Sequence, residues 1–184
     1  MARQPRFLIE DQDTVYHLIG RIAGPLDWFP LQDPQVAQIF FELLFKYLSV
    51  YFCDLIDYVV MGTHFHLIVR FQKFREVSRR ELRRRARMLH CDEKKFLWPR
   101  SKNQWKRFGK RLFSVSWLMA DLQREMVRSH NPLFNRRGPL FQRFESVVLE
   151  DLQALLDCML YVDLNPVRAH MVERPEEWPY SGYA

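Results

Sequence analysis

His64-Phe65-His66-Leu67-Ile68-Val69-Arg70-Phe71 places two histidines at the head of an apolar run. Side chains of a β-strand alternate between faces, so His64 and His66 project the same way, with about 6 to 7 Å between their Cα atoms. Two imidazoles at that spacing can close on one metal ion. Phe65, Leu67, Val69 and Phe71 take the other face, where a packed core would hold the strand rigid. The pattern predicts a strand with one structural and one chemical face, although a histidine pair at a wet sheet surface has the same spacing.

A second stretch, Leu160-Tyr161-Val162-Asp163-Leu164-Asn165-Pro166-Val167-Arg168-Ala169, lies far along the chain. Upstream of it Leu152, Leu155, Leu156, Met159 and Leu160 recur with the spacing of one helix face. At about 100° per residue Tyr161 falls opposite that stripe, near Asp157, Cys158 and Asn165. Asn165 is one turn on from Tyr161, but Pro166 disfavours helical geometry before it and removes a donor, so the helix kinks or ends there. A half-buried tyrosine at a helix end with a bonded hydroxyl fits the same pattern.

Working outward, Thr14 to Ile22 alternates as a first strand, and Asp33-Pro34 opens a helix with the stripe Val36, Ile39, Phe40, Leu43, Leu44, Tyr47 and Leu48. Phe52 to Met61 and His64 to Phe71 read as two strands joined at Gly62-Thr63. A helix over about Val115 to Ser129, a short strand Glu145 to Leu149 and the tyrosine helix follow. This β-α-β-β-α-β order is that of an α+β, ferredoxin-like split βαβ domain with an antiparallel sheet. A basic helical segment is inserted at about 74–112 and the tyrosine-bearing helix is appended.

The 184 residues suffice for one domain, 1–184, and are too few for two comfortable ones. With 28 Lys and Arg against 22 Asp and Glu the net charge is +6, which suits a polyanionic partner. Cys53, Cys91 and Cys158 are odd in number and scattered, forming neither a zinc signature nor a disulfide framework, so a reducing, cytoplasmic location is expected. Arg3, Arg6 and Glu10 leave no signal-peptide run, and Glu42 and Lys46 interrupt the apolar stretch from Phe40 to Phe52, so no membrane span is expected.

The insert holds Arg79, Arg80, Arg83, Arg84, Arg85 and Arg87, then Lys94, Lys95, Arg100, Lys102, Lys106, Arg107, Lys110 and Arg111, with Trp98, Trp105 and Phe108 interspersed. Cations that meet phosphates and aromatic faces that accept unpaired bases suit a nucleic acid. A solvated helix whose arginines pair with Glu76, Glu81 and Glu93 is the alternative, as is a core-anchoring role for Trp98 or Trp105.

The histidine and tyrosine stretches together resemble the one-tyrosine HUH transposases, most closely the REP-associated tyrosine transposase branch. The resemblance also rests on Val15-Tyr16-His17-Leu18 with Arg21, on Met61-Gly62-Thr63, on Phe134-Asn135-Arg136-Arg137-Gly138-Pro139-Leu140-Phe141-Gln142 and on Glu177-Trp178-Pro179-Tyr180-Ser181. Three departures stand out: Gly62-Thr63 replaces the usual Pro-Asn, no Gly separates Gln142 from Arg143, and His170 replaces a glycine at a suspected left-handed helix cap. The resemblance implies the HUH endonuclease fold and a DNA endonuclease and strand transferase that nicks single-stranded DNA through a 5′-phosphotyrosine intermediate. It implies Tyr161 as nucleophile and His64, His66 and Asn165 as ligands of Mg²⁺ or Mn²⁺. The phenol, with an ordinary pKa near 10, needs such help to attack at neutral pH. Single-stranded or hairpin DNA, at palindromic repeats, is the expected partner, met by Arg79, Arg80, Arg83, Arg84, Arg87, Arg136, Arg137, Arg143 and Arg168; the protein acts as a monomer or as a homodimer. His17 is read as structural or substrate-facing, and Asp157 as a surface residue or an aid to proton removal.

Other classes remain. A domesticated DNA-hairpin-binding protein without transposition would carry the same residues. An RNA-binding ferredoxin-like module of the RRM type lacks its signature here and would have no need of metal. A metallohydrolase would need further His or Asp ligands, which do not accompany the pair.

Overall fold

The computed structural model describes residues 9, 11–25, 27–89 and 98–184. Arg3, Arg6 and Glu10, and with them Cys91, Glu93, Lys94 and Lys95 of the basic segment, lie outside the described residues. The strands β1 (Thr14–Arg21), β2 (Cys53–Val60), β3 (His64–Phe71) and β4 (Glu145–Leu149) form one sheet in the order β2-β3-β1-β4. All neighbouring pairs are antiparallel. The helices α1 (Pro34–Val50) and α4 (Val115–Leu133) complete the split βαβ pattern, and α5 (Leu152–Asp163) and the short α6 (Asn165–Arg168) follow β4. The fold is therefore α+β, as its element order predicts.

One sheet face is a closed apolar layer. Tyr16, Leu18, Phe65, Leu67, Val69 and Phe71 are buried in a common core with Phe40 and Leu44 of α1 and Leu118, Met119, Leu122 and Met126 of α4. Helix α1 starts where it should: the Asp33 carboxylate accepts from the amides of Gln35 and Val36, and Pro34 occupies the first turn, where a missing N–H costs nothing. Gly20 lies opposite Phe65 in the β1–β3 register, and a Cβ there would stand 2.2 Å from the ring tip. The bare backbone at position 20 is what lets that ring lie flat against β1.

The insert belongs to this same side. Helix α2 (Arg79–Leu89) buries Leu82, Ala86 and Leu89, and α3 (Lys102–Arg111) buries Trp105 and Phe108. Trp98 packs beside Trp105 against the core, so these tryptophans are anchors. Arg85 turns inward: its guanidinium lies 3.8 Å from the Phe52 ring centroid and donates to the carbonyls of Val50 (2.6 Å) and Tyr51 (3.0 Å), capping the end of α1.

The opposite face is thinner. Val59, Met61, Ile68 and Val162 form a small buried cluster, with Leu155, Cys158 and Met159 packed against it. Here the sequence reading of α5 needs correction. Leu152, Leu156 and Leu160 are 69, 51 and 59% exposed, and the helix rests on the sheet through Leu155, Cys158, Met159 and Val162. Its true contact face is turned by about 80° from the leucine stripe. That rotation brings Tyr161 to the margin of the sheet contact instead of the far side. At its end α5 does stop, with Leu164 as C-cap before α6. Beyond, Trp178 donates its indole N–H to the Val60 carbonyl (3.0 Å) and Ser181 bridges Val59, covering the β2 edge. Among the described residues no helix is long and apolar enough to cross a membrane.

Candidate active site

His64 and His66 both lie on the α5 face of the sheet, their ring centroids 5.1 Å apart. Strand alternation puts them there, since Phe65 between them is fully buried on the other side. Tyr161 stands over them from α5, its ring edge-on to His66 at 5.6 Å and to His17 at 6.2 Å, and it is 41% exposed. Its phenol is thus held by the fold yet open to a macromolecule. The kink before Pro166 returns the chain toward the sheet, so that the Asn165 amide nitrogen lies 3.5 Å from His66 Nε2. Asn165 also acts on His64, whose pKa it raises against the lowering by burial and Arg21, so its amide lies within reach of both imidazoles.

The hydrogen-bond chain assigns tautomers. His17 Nε2 and His66 Nδ1 are 2.8 Å apart, both residues being buried. With a donor, the Asn165 amide, on its Nε2 side, His66 is most simply satisfied by carrying its proton on Nδ1 and giving it to His17. The Nε2 lone pair then points into the site. His64 Nδ1 is 3.0 Å from the Thr63 hydroxyl, which holds the ring in place and can either donate to that nitrogen or accept from it. Burial, followed by the charges of His17, His64 and Arg21, pushes His66 down to about 3. Burial and Arg21 lower His64, and burial lowers His17 against the pull of Glu145. All three are neutral imidazoles at physiological pH, the form a metal requires.

Two neutral imidazoles and an amide able to present its oxygen make a donor set of nitrogen and oxygen that suits Mn²⁺ and, with substrate oxygens and water, admits Mg²⁺. Among the described residues no group of three or more His, Cys, Asp and Glu is placed to hold a metal ion, so an ion here would have two imidazoles and the Asn165 amide, with substrate oxygens and water to complete its shell. The residues present fit such an ion.

Of the cations named from sequence, Arg168 is the one placed beside Tyr161, its guanidinium 5.3 Å from the ring centroid. Arg21, paired with Glu145 at 3.6 Å, flanks the histidines from β1. Arg137 and Arg143 are exposed in the segment before β4. Arg136 is half-buried, 4.0 Å from the Trp28 ring centroid and donating to the Ala23 carbonyl (2.8 Å), which fastens that segment to the loop after β1. Arg79, Arg80, Arg83, Arg84 and Arg87 are exposed on α2, on the other side of the sheet and away from the histidines. Arg84 is tied to Glu81 at 2.8 Å. Asp157 is exposed and accepts from Gln153 (2.8 Å), a surface pair.

Behind Tyr161, Asp163 of α5 meets Asp57 of β2. Burial, followed by the neighbouring Asp163 charge, raises Asp57 to about 6, and burial raises Asp163 as well. Asp57 Oδ2 and Asp163 Oδ1 are buried without a hydrogen-bond partner among the described residues, so one proton held between the two carboxyls would satisfy both and tie the tyrosine helix to the sheet. Nothing in the sequence marked this pair, because the two residues are far apart in the chain. The signal for His17 was stronger: alternation from Arg21 puts it on the histidine face.

No family model matches the chain, and no curated protein is similar to it. A solved structure, of the REP-associated tyrosine transposase bound to a REP hairpin, superposes with a TM-score of 0.69 over all of this chain and 83% of that one, at 12% sequence identity. The chain has the fold of a REP-associated tyrosine transposase. Identity this low speaks for the fold, and the chemistry rests on the side chains described above.

Proposed function

We propose that this protein is a metal-dependent nickase and strand transferase acting on single-stranded DNA beside a hairpin, in the manner of a tyrosine transposase. The observation that carries the reading is the convergence of His64, His66, Asn165 and Tyr161 on one sheet face, with Nε2 of His66 turned toward Asn165. The hairpin-bound state of the structural neighbour supports the choice of substrate. Held by His64, His66 and Asn165, Mg²⁺ or Mn²⁺ would supply a Lewis acid for a non-bridging oxygen of the scissile phosphate.

The chain's own residues do the rest. Arg168 meets a phosphate oxygen of the strand lying over Tyr161, and Arg137 and Arg143 hold the DNA on its way in. The Tyr161 oxygen attacks phosphorus in line and releases its proton to water. The bond from phosphorus to the 3′ oxygen breaks, and that oxygen leaves with the electron pair and takes up a proton as a free 3′ hydroxyl. One phosphoester bond replaces another, so the 5′-phosphotyrosine retains the energy for rejoining without ATP. His17 keeps His66 in the required tautomer, and the Asp57–Asp163 pair fixes the height of Tyr161 above the histidines.

Hairpin DNA carrying a labelled single-stranded flank, incubated with Mn²⁺ and run on a denaturing gel, tests this. Wild-type protein should form a covalent adduct; Tyr161→Phe should form none while binding DNA nearly as well. His64→Ala and His66→Ala should each lower adduct formation at least about a hundredfold. Adduct formation by Tyr161→Phe, or undiminished cleavage in EDTA, would refute the assignment. Binding without any adduct would leave a hairpin-binding protein.

A further inference from the structure

A groove of about 520 Å³ at the β4–α5 junction, a ridge of exposed leucines on α5 and the groove between α2 and α3 are the main surface features outside the active site. The last has the most specific chemistry. It encloses about 660 Å³, and Arg75, Arg79, Lys102 and Lys106 face it against a single carboxylate, Glu76. None of these four cations has an ion-pair partner among the described residues, in contrast to Arg84 and Arg85, which share Glu81. Lys102 and Asn103, the first residues of α3, also line it, so the positive end of a ten-residue helix faces the groove. An independent sign is Trp105 in the groove wall: the residue is 5% exposed, and its indole N–H has no acceptor among the described residues. A buried donor without a partner is costly, which points to an acceptor supplied from outside.

The aromatic rings here are already used. Arg79 lies 5.5 Å from the Trp105 ring centroid and Lys110 5.5 Å from that of Phe74, so neither ring offers a free face for an unpaired base. Cations without a stacking platform read phosphates. The groove lies past the far end of β3, whose run from His64 to Phe71 spans about 23 Å, and on the opposite side of the sheet from Tyr161. DNA held at both places would need a stem of at least about seven base pairs at 3.4 Å each.

We infer that the α2–α3 groove is a second DNA site, which takes the phosphodiester backbone of a double-stranded stem while the flanking single strand occupies the histidine and tyrosine site. The inference rests on the DNA reading above and gives the basic insert its part in it: sequence-independent grip and orientation.

The test uses the full-length protein and fluorescent hairpins that share one single-stranded flank but have a stem either shorter than the gap or clearly longer. Wild-type protein should prefer the long stem. The triple variant Arg79→Gln, Lys102→Gln, Lys106→Gln removes only exposed charges; it should lose that preference and lower the slope of log K against log salt on the long stem by about two to three units. Adduct formation on short-stem DNA should stay as in wild type. The Trp105 indole N–H resonance, identified by its absence in Trp105→Phe, should shift with the long stem and stay put with the short one. An unchanged slope in the triple variant, no stem-length preference in wild type, or an unmoved indole resonance would each overturn the groove while leaving the nickase reading intact. Failure of wild-type protein to bind any hairpin would overturn the nickase reading and the groove with it.

Discussion

The two faces of the sheet are built from alternate residues of the same strands and could hardly differ more. On the α1/α4 face Phe65, Leu67 and Val69 are fully buried among aromatic and aliphatic neighbours, and the face carries no ionisable group of the site. On the α5 face the alternate positions are His64, His66 and Ile68, roofed by one helix and shared with His17 and an aspartic acid pair. A strand cannot place histidines accurately unless its other face is immobile, because every displacement of Phe65 is transmitted to both neighbours through the backbone. Stability should therefore be concentrated on one face and chemistry on the other, and substitutions on each should separate the two.

The largest effect on stability is expected from Gly20→Ala. The new methyl would collide with the Phe65 ring, which is hemmed in by Phe40 at 4.8 Å and Phe141 at 5.9 Å. Overpacking of that kind costs about 2 to 3 kcal/mol. Urea unfolding should show a lower midpoint at unchanged m, and Mn²⁺ affinity should fall too if the strand tilts. Wild-type stability for this variant would mean that the core face yields and does not act as a rigid backing.

His17→Leu tests the other face. It fills the space but leaves His66 Nδ1 without its acceptor, so Mn²⁺ affinity by calorimetry should weaken about 10- to 100-fold. His17→Gln can present an amide oxygen where Nε2 stood and should retain most of the affinity. Nitrogen-15 shifts of apo protein should find His66 protonated on Nδ1 in wild type and mixed in the leucine variant. Equal affinities for Leu and Gln would reduce His17 to a packing residue.

The Asp57–Asp163 pair sharpens the contrast through pH. The folded value of Asp57, about 6, lies above the ordinary carboxylate value of 3.8. The native state then binds more protons than the unfolded state between those limits, so the stability this group contributes is full below 3.8 and lost as pH rises through about 6. The buried histidines, with lowered values, act oppositely: their contribution is full above 6.5 and lost as pH falls. Asp57→Asn removes the first term alone. Relative to wild type it should gain about 1 to 2 kcal/mol between pH 4 and pH 8. A difference independent of pH would show that the carboxyls do not share a proton.

How much of this could be read from the chain depends on the range of the interaction. The alternation of His64 to Phe71 and the Asp33-Pro34 cap act within a few residues, and the strands and α1 stand as the sequence predicts them. The orientation of α5 departs from its apolar stripe Leu152, Leu155, Leu156, Met159 and Leu160 because only Leu155 and Met159 pack while the other three stay exposed; hydrophobicity does not say which edge of a stripe meets the sheet. In α2 arginines occur on every side, so the inward turn of Arg85 onto Phe52 could not be told from its exposed neighbours. The His17–His66 bond and the Asp57–Asp163 contact needed the strand register and the seating of α5, which only tertiary packing supplies.

The smallest effect concerns His170, at the edge of the chemical face. Its amide bonds the Val167 carbonyl (2.9 Å) and that of Met171 bonds Pro166 (3.0 Å), the paired pattern that ends a helix through a left-handed residue. His170 has φ 55°, as suspected from its standing where a glycine is usual, and its side chain is exposed and makes no compensating contact among the described residues. The Cβ is therefore a pure cost at this cap. His170→Gly should raise stability by about 0.5 to 1 kcal/mol, the relief of the left-handed conformation being partly offset by the greater freedom of glycine in the unfolded chain. Because Asn165 and Arg168 sit on the helix this cap closes, Mn²⁺ affinity and adduct formation should stay the same or improve slightly. A variant that is more stable but binds Mn²⁺ less tightly would show instead that the strained cap tunes the position of Asn165, so that backbone strain on the chemical face serves the site.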